Sequence, residues 1–91
     1  MPYISQTERK KYNAILGLLR GNQELINSPG DLNYLITNVL KIYLEKHKVG
    51  YTSLNDIIGV LECSKAELYR RIIAPYENSK IESNGDVFKW N

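Results

Sequence analysis

Arg70 and Arg71 stand side by side, with Tyr69 before them and Tyr76 and Lys80 shortly after. A guanidinium presents a planar fork of donors that matches phosphate oxygens, and it also stacks on aromatic faces. This combination suits a phosphate-bearing ligand with a ring. Arg70, Arg71 and Lys80 would meet the phosphates, Tyr69 or Tyr76 would stack a base, and the turn at Asn84 would close the pocket. The same residues also have a structural reading. Glu67 precedes the two arginines by three and four residues, the spacing at which side chains meet on a helix, and cations are favoured at a helix C-terminus in any case.

Nothing else in the chain points to a reaction. His47 is the only histidine and Cys63 the only cysteine, and they fall on different elements, so no metal-ligand cluster forms. His47 reads as a solvated residue near a helix end and Cys63 as a small core residue. There is no glycine-rich phosphate loop, nucleophile elbow or paired-histidine zinc motif. Glu24 near Asp31 and Glu77 near Glu82 are carboxylates with nothing to couple them for proton transfer. The expectation is a protein without enzymatic activity, metal or cofactor. Seven tyrosines are many for 91 residues; Tyr34, Tyr43, Tyr69 and Tyr76 can line a pocket or a subunit contact. Arg9-Lys10-Lys11 reads as a solvated basic face.

The elements that must position these residues fit a chain of one-domain size, 1–91. A charged fraction of 24% and a hydrophobic fraction of 43% are those of a folded protein. The net charge of +2 is too small to demand a nucleic-acid partner. A single cysteine fits a reducing compartment, and no apolar run approaches the roughly 20 residues that span a bilayer. These features predict a cytoplasmic protein with no membrane partner. A chain this short has little core, which favours a homo-oligomer.

Ser5 and Glu8 have capping-box spacing and open a helix over about 6–20, stopped by Gly21-Asn22; a short turn can follow around Leu25 and Ile26. Ser28-Pro29-Gly30-Asp31 is the clearest start in the chain: a capping serine, a proline at the first helical position and an acid in the first turn. The helix it opens runs over about 29–48 through Leu32, Leu35, Ile36, Val39, Leu40 and Tyr43, with Gly50 as its breaker. Thr52 or Ser53 caps a third helix over about 53–74, ended by Pro75. Ser64 and Glu67 repeat the capping-box spacing inside it, but the stripe of Leu54, Ile57, Leu61, Leu68 and Ile72 stays in phase only if the helix continues. Gly59, Cys63 and Ala66 give it a small-residue face, for packing within the chain or against a second copy. Asn84-Gly85 supplies the residues of a type I′ turn, so about 79–90 is expected to form a β-hairpin pairing Ile81 with Phe88. The predicted fold is mainly α: a three-helix bundle-like domain with a small C-terminal β-hairpin.

Asp31-Leu32-Asn33-Tyr34, Gly59-Val60-Leu61-Glu62-Cys63, Glu67-Leu68-Tyr69-Arg70-Arg71, Ala74-Pro75-Tyr76-Glu77 and Asn84-Gly85-Asp86-Val87, with the Met1-Pro2-Tyr3-Ile4 start, carry a resemblance over nearly the whole chain. The sequence resembles a family of short uncharacterised proteins from phages, bacteria and environmental sequences. The resemblance implies no catalytic assignment. It implies a residue other than a capping one at the place of Ser64 in relatives, which supports the unbroken third helix. Three functions follow as expectations. The first is a homo-oligomer binding a nucleotide-like small molecule at Tyr69, Arg70, Arg71, Tyr76, Lys80 and Asn84, in its phage form an anti-defence protein that sequesters a host signalling nucleotide in the host cytoplasm. The second is a winged-helix-like DNA-binding regulator with the hairpin as wing. The third is a protein–protein inhibitor or assembly module.

Overall fold

A computed structural model describes residues 1–89; Trp90 and Asn91 lie outside the described residues. The chain divides into two compact units, one over Tyr3–Ile58 and one formed by Met1–Pro2 with the residues from Gly59 onward.

In the first unit, the Ser5 hydroxyl accepts the Glu8 N–H at 3.2 Å and starts α1 (Gln6–Arg9). A 3₁₀ turn over Lys10–Tyr12 separates it from α2 (Asn13–Gly21), so the first expected helix carries one tightened turn. Asn22 ends α2 by donating its backbone N–H to Leu19 and its side-chain amide to Leu18. A second 3₁₀ turn, Gln23–Ile26, leads to α3 (Pro29–His47). Here the start read from sequence is met in full. Ser28 accepts the Asp31 N–H at 3.0 Å, and the Asp31 carboxylate accepts the Ser28 N–H at 3.2 Å, a reciprocal capping box ahead of Pro29.

α3 does not stop at its glycine. Lys48 takes the positive φ, 66°, and donates its N–H to Leu44 at 2.8 Å, while Gly50 keeps an ordinary backbone. Ser53 then locks the corner. Its buried hydroxyl donates to the Lys48 carbonyl at 2.6 Å and accepts the Gly50 N–H at 3.2 Å, at the start of α4 (Tyr51–Leu68). One turn on, Ile57 is the one buried hydrophobic among the described residues.

The second unit holds the rest of α4, which passes Ser64 without a break. Leu68 is followed by a π turn over Tyr69–Ile73, closed by the Ala74 N–H on the Tyr69 carbonyl, and then by α5 (Ala74–Asn84). Proline in an α-helix clashes with the carbonyl four residues back. The wider turn moves that carbonyl aside and places Pro75 in the first turn of α5, where its missing N–H costs nothing. Pro75 therefore does not end the helical path, contrary to expectation.

The expected C-terminal β-hairpin is also absent. No strand occurs among the described residues, and the part of the hairpin assigned to residue 90 lies outside them. Lys80 to Asn84 form the end of α5, and Gly85, with φ 93°, donates its N–H to Ile81 at 2.9 Å. The Asn-Gly pair thus stops a helix instead of reversing a strand, since a glycine with positive φ serves either purpose. Ile81 consequently makes no cross-strand pair with Phe88, whose N–H bonds to the Asp86 carboxylate at 2.8 Å. The fold is mainly α, without the hairpin.

Candidate functional site

The predicted ligand residues lie on the π turn and α5, and the structure gathers only some of them. Arg70 Nη2 reaches Glu67 Oε1 at 2.6 Å, so the sequence's structural alternative holds for Arg70. Arg71 is one position on; both it and Tyr69 are exposed. On α5 the Lys80 ammonium lies 5.4 Å from the centre of the Tyr76 ring, a cation–π contact across one helical turn. Lys80 and Asn84 do share a hollow, of about 200 Å³, with Glu77, Ile81, Gly85 and Val87. That is smaller than the roughly 300 Å³ at which ligand pockets begin. Glu77 sets a carboxylate against any phosphate that Lys80 would attract. Arg70, Arg71, Tyr69 and Tyr76 do not line it.

A larger hollow, about 320 Å³, lies in the first unit at the corner between α3 and α4. Tyr43, His47 and Lys48 meet Tyr51, Ser53 and Asp56 there. The Tyr43 and His47 rings are 4.2 Å apart, tilted by 31°. An ammonium, an imidazole, a carboxylate and two phenols give the hollow mixed charge, which suits a small polar group better than a polyanion. Sequence reasoning named Tyr43 as a pocket residue and Ser53 as a helix cap, but did not bring them together. The signal was the stretch of five residues between His47 and Ser53, in which one residue had to take a positive φ; the glycine was the natural choice and Lys48 took it.

The remaining candidates fall into local roles. In the basic run, Lys11 Nζ bonds to Glu8 Oε2 at 2.8 Å and Arg9 Nε donates to the Ile4 carbonyl at 2.9 Å. The hydrogen bond to Lys11, and then its charge, hold the Glu8 carboxyl below the usual glutamate range; the same contact raises Lys11. Cys63, expected in the core, is exposed. A Cβ placed on Gly59 would meet nothing within 4 Å among the described residues. No three metal-ligating side chains cluster among the described residues, and none of the described helices is long and apolar enough to cross a membrane.

The most extensive feature is apolar. On α3, Leu32, Ile36, Val39 and Tyr43 are 48%, 40%, 57% and 36% exposed, and on the second unit Leu68, Tyr69, Ile72 and Tyr76 are each more than half exposed. Single exposed hydrophobics are ordinary, but contiguous apolar helix faces are what partners cover.

No curated protein and no solved structure matches the chain. A family model matches residues 1–87: the chain belongs to the family of the domain of unknown function DUF6899.

Proposed function

We infer that this protein works by association without catalysis, its exposed apolar helix faces being completed by helices of a partner. One observation carries the reading: Ile57 alone among the described hydrophobic residues is buried, while large hydrophobic side chains on α2, α3, α4 and α5 are exposed. Burial of apolar surface is the main force that favours folding, so helices that bury so little draw stability from what they bind. The test is thermal unfolding followed over a hundredfold range of protein concentration. A midpoint that rises with concentration, or on addition of a partner, agrees with association; a sharp, concentration-independent transition in a monomer refutes it.

A second reading is favoured by the π turn. Such turns recur at functional sites, and this one carries Tyr69, Arg70 and Arg71 one turn ahead of the Tyr76–Lys80 contact. In it the associated protein is a homo-oligomer that holds a nucleotide-like ligand, with Arg71 and Lys80 toward phosphates and Tyr69 or Tyr76 against a base. In the phage setting that the family resemblance implies, the ligand is a host defence signal such as a cyclic oligonucleotide or an ADP-ribose derivative, sequestered in the cytoplasm. Stabilisation of the protein by members of a nucleotide panel, lost in Arg71→Ala, is the expected result; no shift with any nucleotide removes this reading. The DNA-binding alternative loses its wing with the hairpin.

A further inference from the structure

We propose that the partner of α3 is a second copy of this chain, seated antiparallel on the seam formed by Leu32, Ile36, Val39 and Tyr43. This rests on the association reading above and names its partner. The four residues recur at spacings of four, three and four, which at about 100° per residue keeps them within about 60° of the helix circumference. That is the a/d pattern of a helix-pairing seam, and all four side chains are exposed.

Two features select a second copy, and antiparallel, as the occupant. The spacing reads the same in both directions. A two-fold axis midway along the seam therefore sets Leu32 against Tyr43 of the other copy and Ile36 against Val39, matching apolar residues at every level, as an isologous contact requires. Charge on α3 is polarised. Asp31 lies in its first turn, while Lys46 beside Glu45 in its last turn, followed by Lys48, leaves the C-terminal end net positive. An antiparallel pair brings each basic end beside the other's acidic end and opposes the helix dipoles, whereas a parallel pair would crowd the basic ends together.

With a net charge of only +2, the copies repel each other weakly.

The full chain is examined by sedimentation equilibrium, with Val39→Glu in the seam and Tyr34→Glu, 73% exposed and on the opposite side of α3, as control. The expected result is a dimer for the unaltered chain and for Tyr34→Glu, and at least a hundredfold weaker dimerisation for Val39→Glu. Orientation is read by oxidative cross-linking in a Cys63→Ser background. Leu32→Cys mixed with Tyr43→Cys yields the mixed disulfide dimer in preference to either symmetric one; preference for the symmetric products overturns the antiparallel pairing. A dimer equally strong in Val39→Glu overturns the seam. A monomer at about 100 µM overturns the second copy. If that monomer unfolds without cooperativity, the association reading survives with a different partner; if it unfolds cooperatively, that reading falls as well.

Discussion

Replacing Lys48 by glycine is expected to stabilise the protein, although Lys48 is the residue that ends its longest helix. With φ 66° and ψ 153°, Lys48 occupies a backbone region that is almost reserved for glycine, at a cost of about 1–3 kcal/mol to any other residue. Two smaller effects oppose the gain. Glycine loses roughly 0.5–1 kcal/mol more chain entropy on folding. Removing an exposed cation from a helix C-terminus forfeits about 0.3 kcal/mol. The two hydrogen bonds that Lys48 contributes, its N–H to Leu44 and its carbonyl to the Ser53 hydroxyl, are made by backbone atoms and survive the change. The balance is a gain of about 1 kcal/mol, which for a chain of this size raises the unfolding midpoint by roughly 4–8 °C. Thermal unfolding at fixed protein concentration measures it. Gly85 is the control. It has nearly the same backbone conformation, φ 93° and ψ 148°, and a Cβ there would touch nothing within 4 Å, so Gly85→Ala isolates the backbone cost and should destabilise by about 1–2 kcal/mol. A lower midpoint for Lys48→Gly would refute the reasoning, because backbone strain could not then outweigh chain entropy and charge at this corner.

Three other changes probe the local structure. Ser53→Ala should cost about 2 kcal/mol, since it removes the hydroxyl that ties the Lys48 carbonyl to the Gly50 N–H in a buried position, and a urea midpoint unchanged from the parent would count against it. Ser28→Ala should lower stability by about 1 kcal/mol through loss of the capping box; faster amide exchange confined to the first turn of α3 is the corresponding signature. Glu8 should titrate below an ordinary glutamate in NMR, with Lys11→Met returning its midpoint upward. Because the folded value is depressed, the pair's stabilising contribution is present above the ordinary glutamate range and is lost as the pH falls through the folded value; a Glu8 midpoint indifferent to Lys11→Met would exclude the pairing.

The helix starts at Ser5 and Ser28 were legible in the sequence because a cap is a local device, whereas α4 begins at Tyr51, ahead of the cap expected at Thr52 or Ser53. Ser5 and Ser28 each need only a hydroxyl and an N–H three residues on, so the residue types state the geometry. Helix ends were less legible, because several residues can supply the same stop. Gly50 was the residue best suited to a positive φ after α3, yet the hydrogen bonds of Ser53 fix the corner two residues earlier, and Lys48 bears the strain. Asn84-Gly85 fails for a related reason. A glycine with positive φ ends a helix or turns a hairpin equally well, and the choice was made upstream, where the π turn let the helical path continue past Pro75.

The same π turn explains why the candidate ligand site was only partly legible. Inserting one residue into a helix rotates everything after it by about 100°. Arg70 and Arg71 lie within the insertion, Tyr76 and Lys80 beyond it, so spacing counted along an unbroken helix does not give the face they share. Arg70 turns to Glu67, Lys80 to Tyr76, and the hollow at Lys80 and Asn84 takes Glu77 as its other charge. A cluster of arginines and tyrosines in sequence is thus a statement about available chemistry, and convergence depends on a helical phase that a single residue can change. The apolar stripe of α3 has no such interruption. Leu32 to Tyr43 lie on one continuous α-helix, so their phase follows directly from their spacing. Periodicity identifies such a stripe in the same way whether it faces the chain's own core or another molecule; the exposure of these four residues is the observation on which the proposed second copy rests.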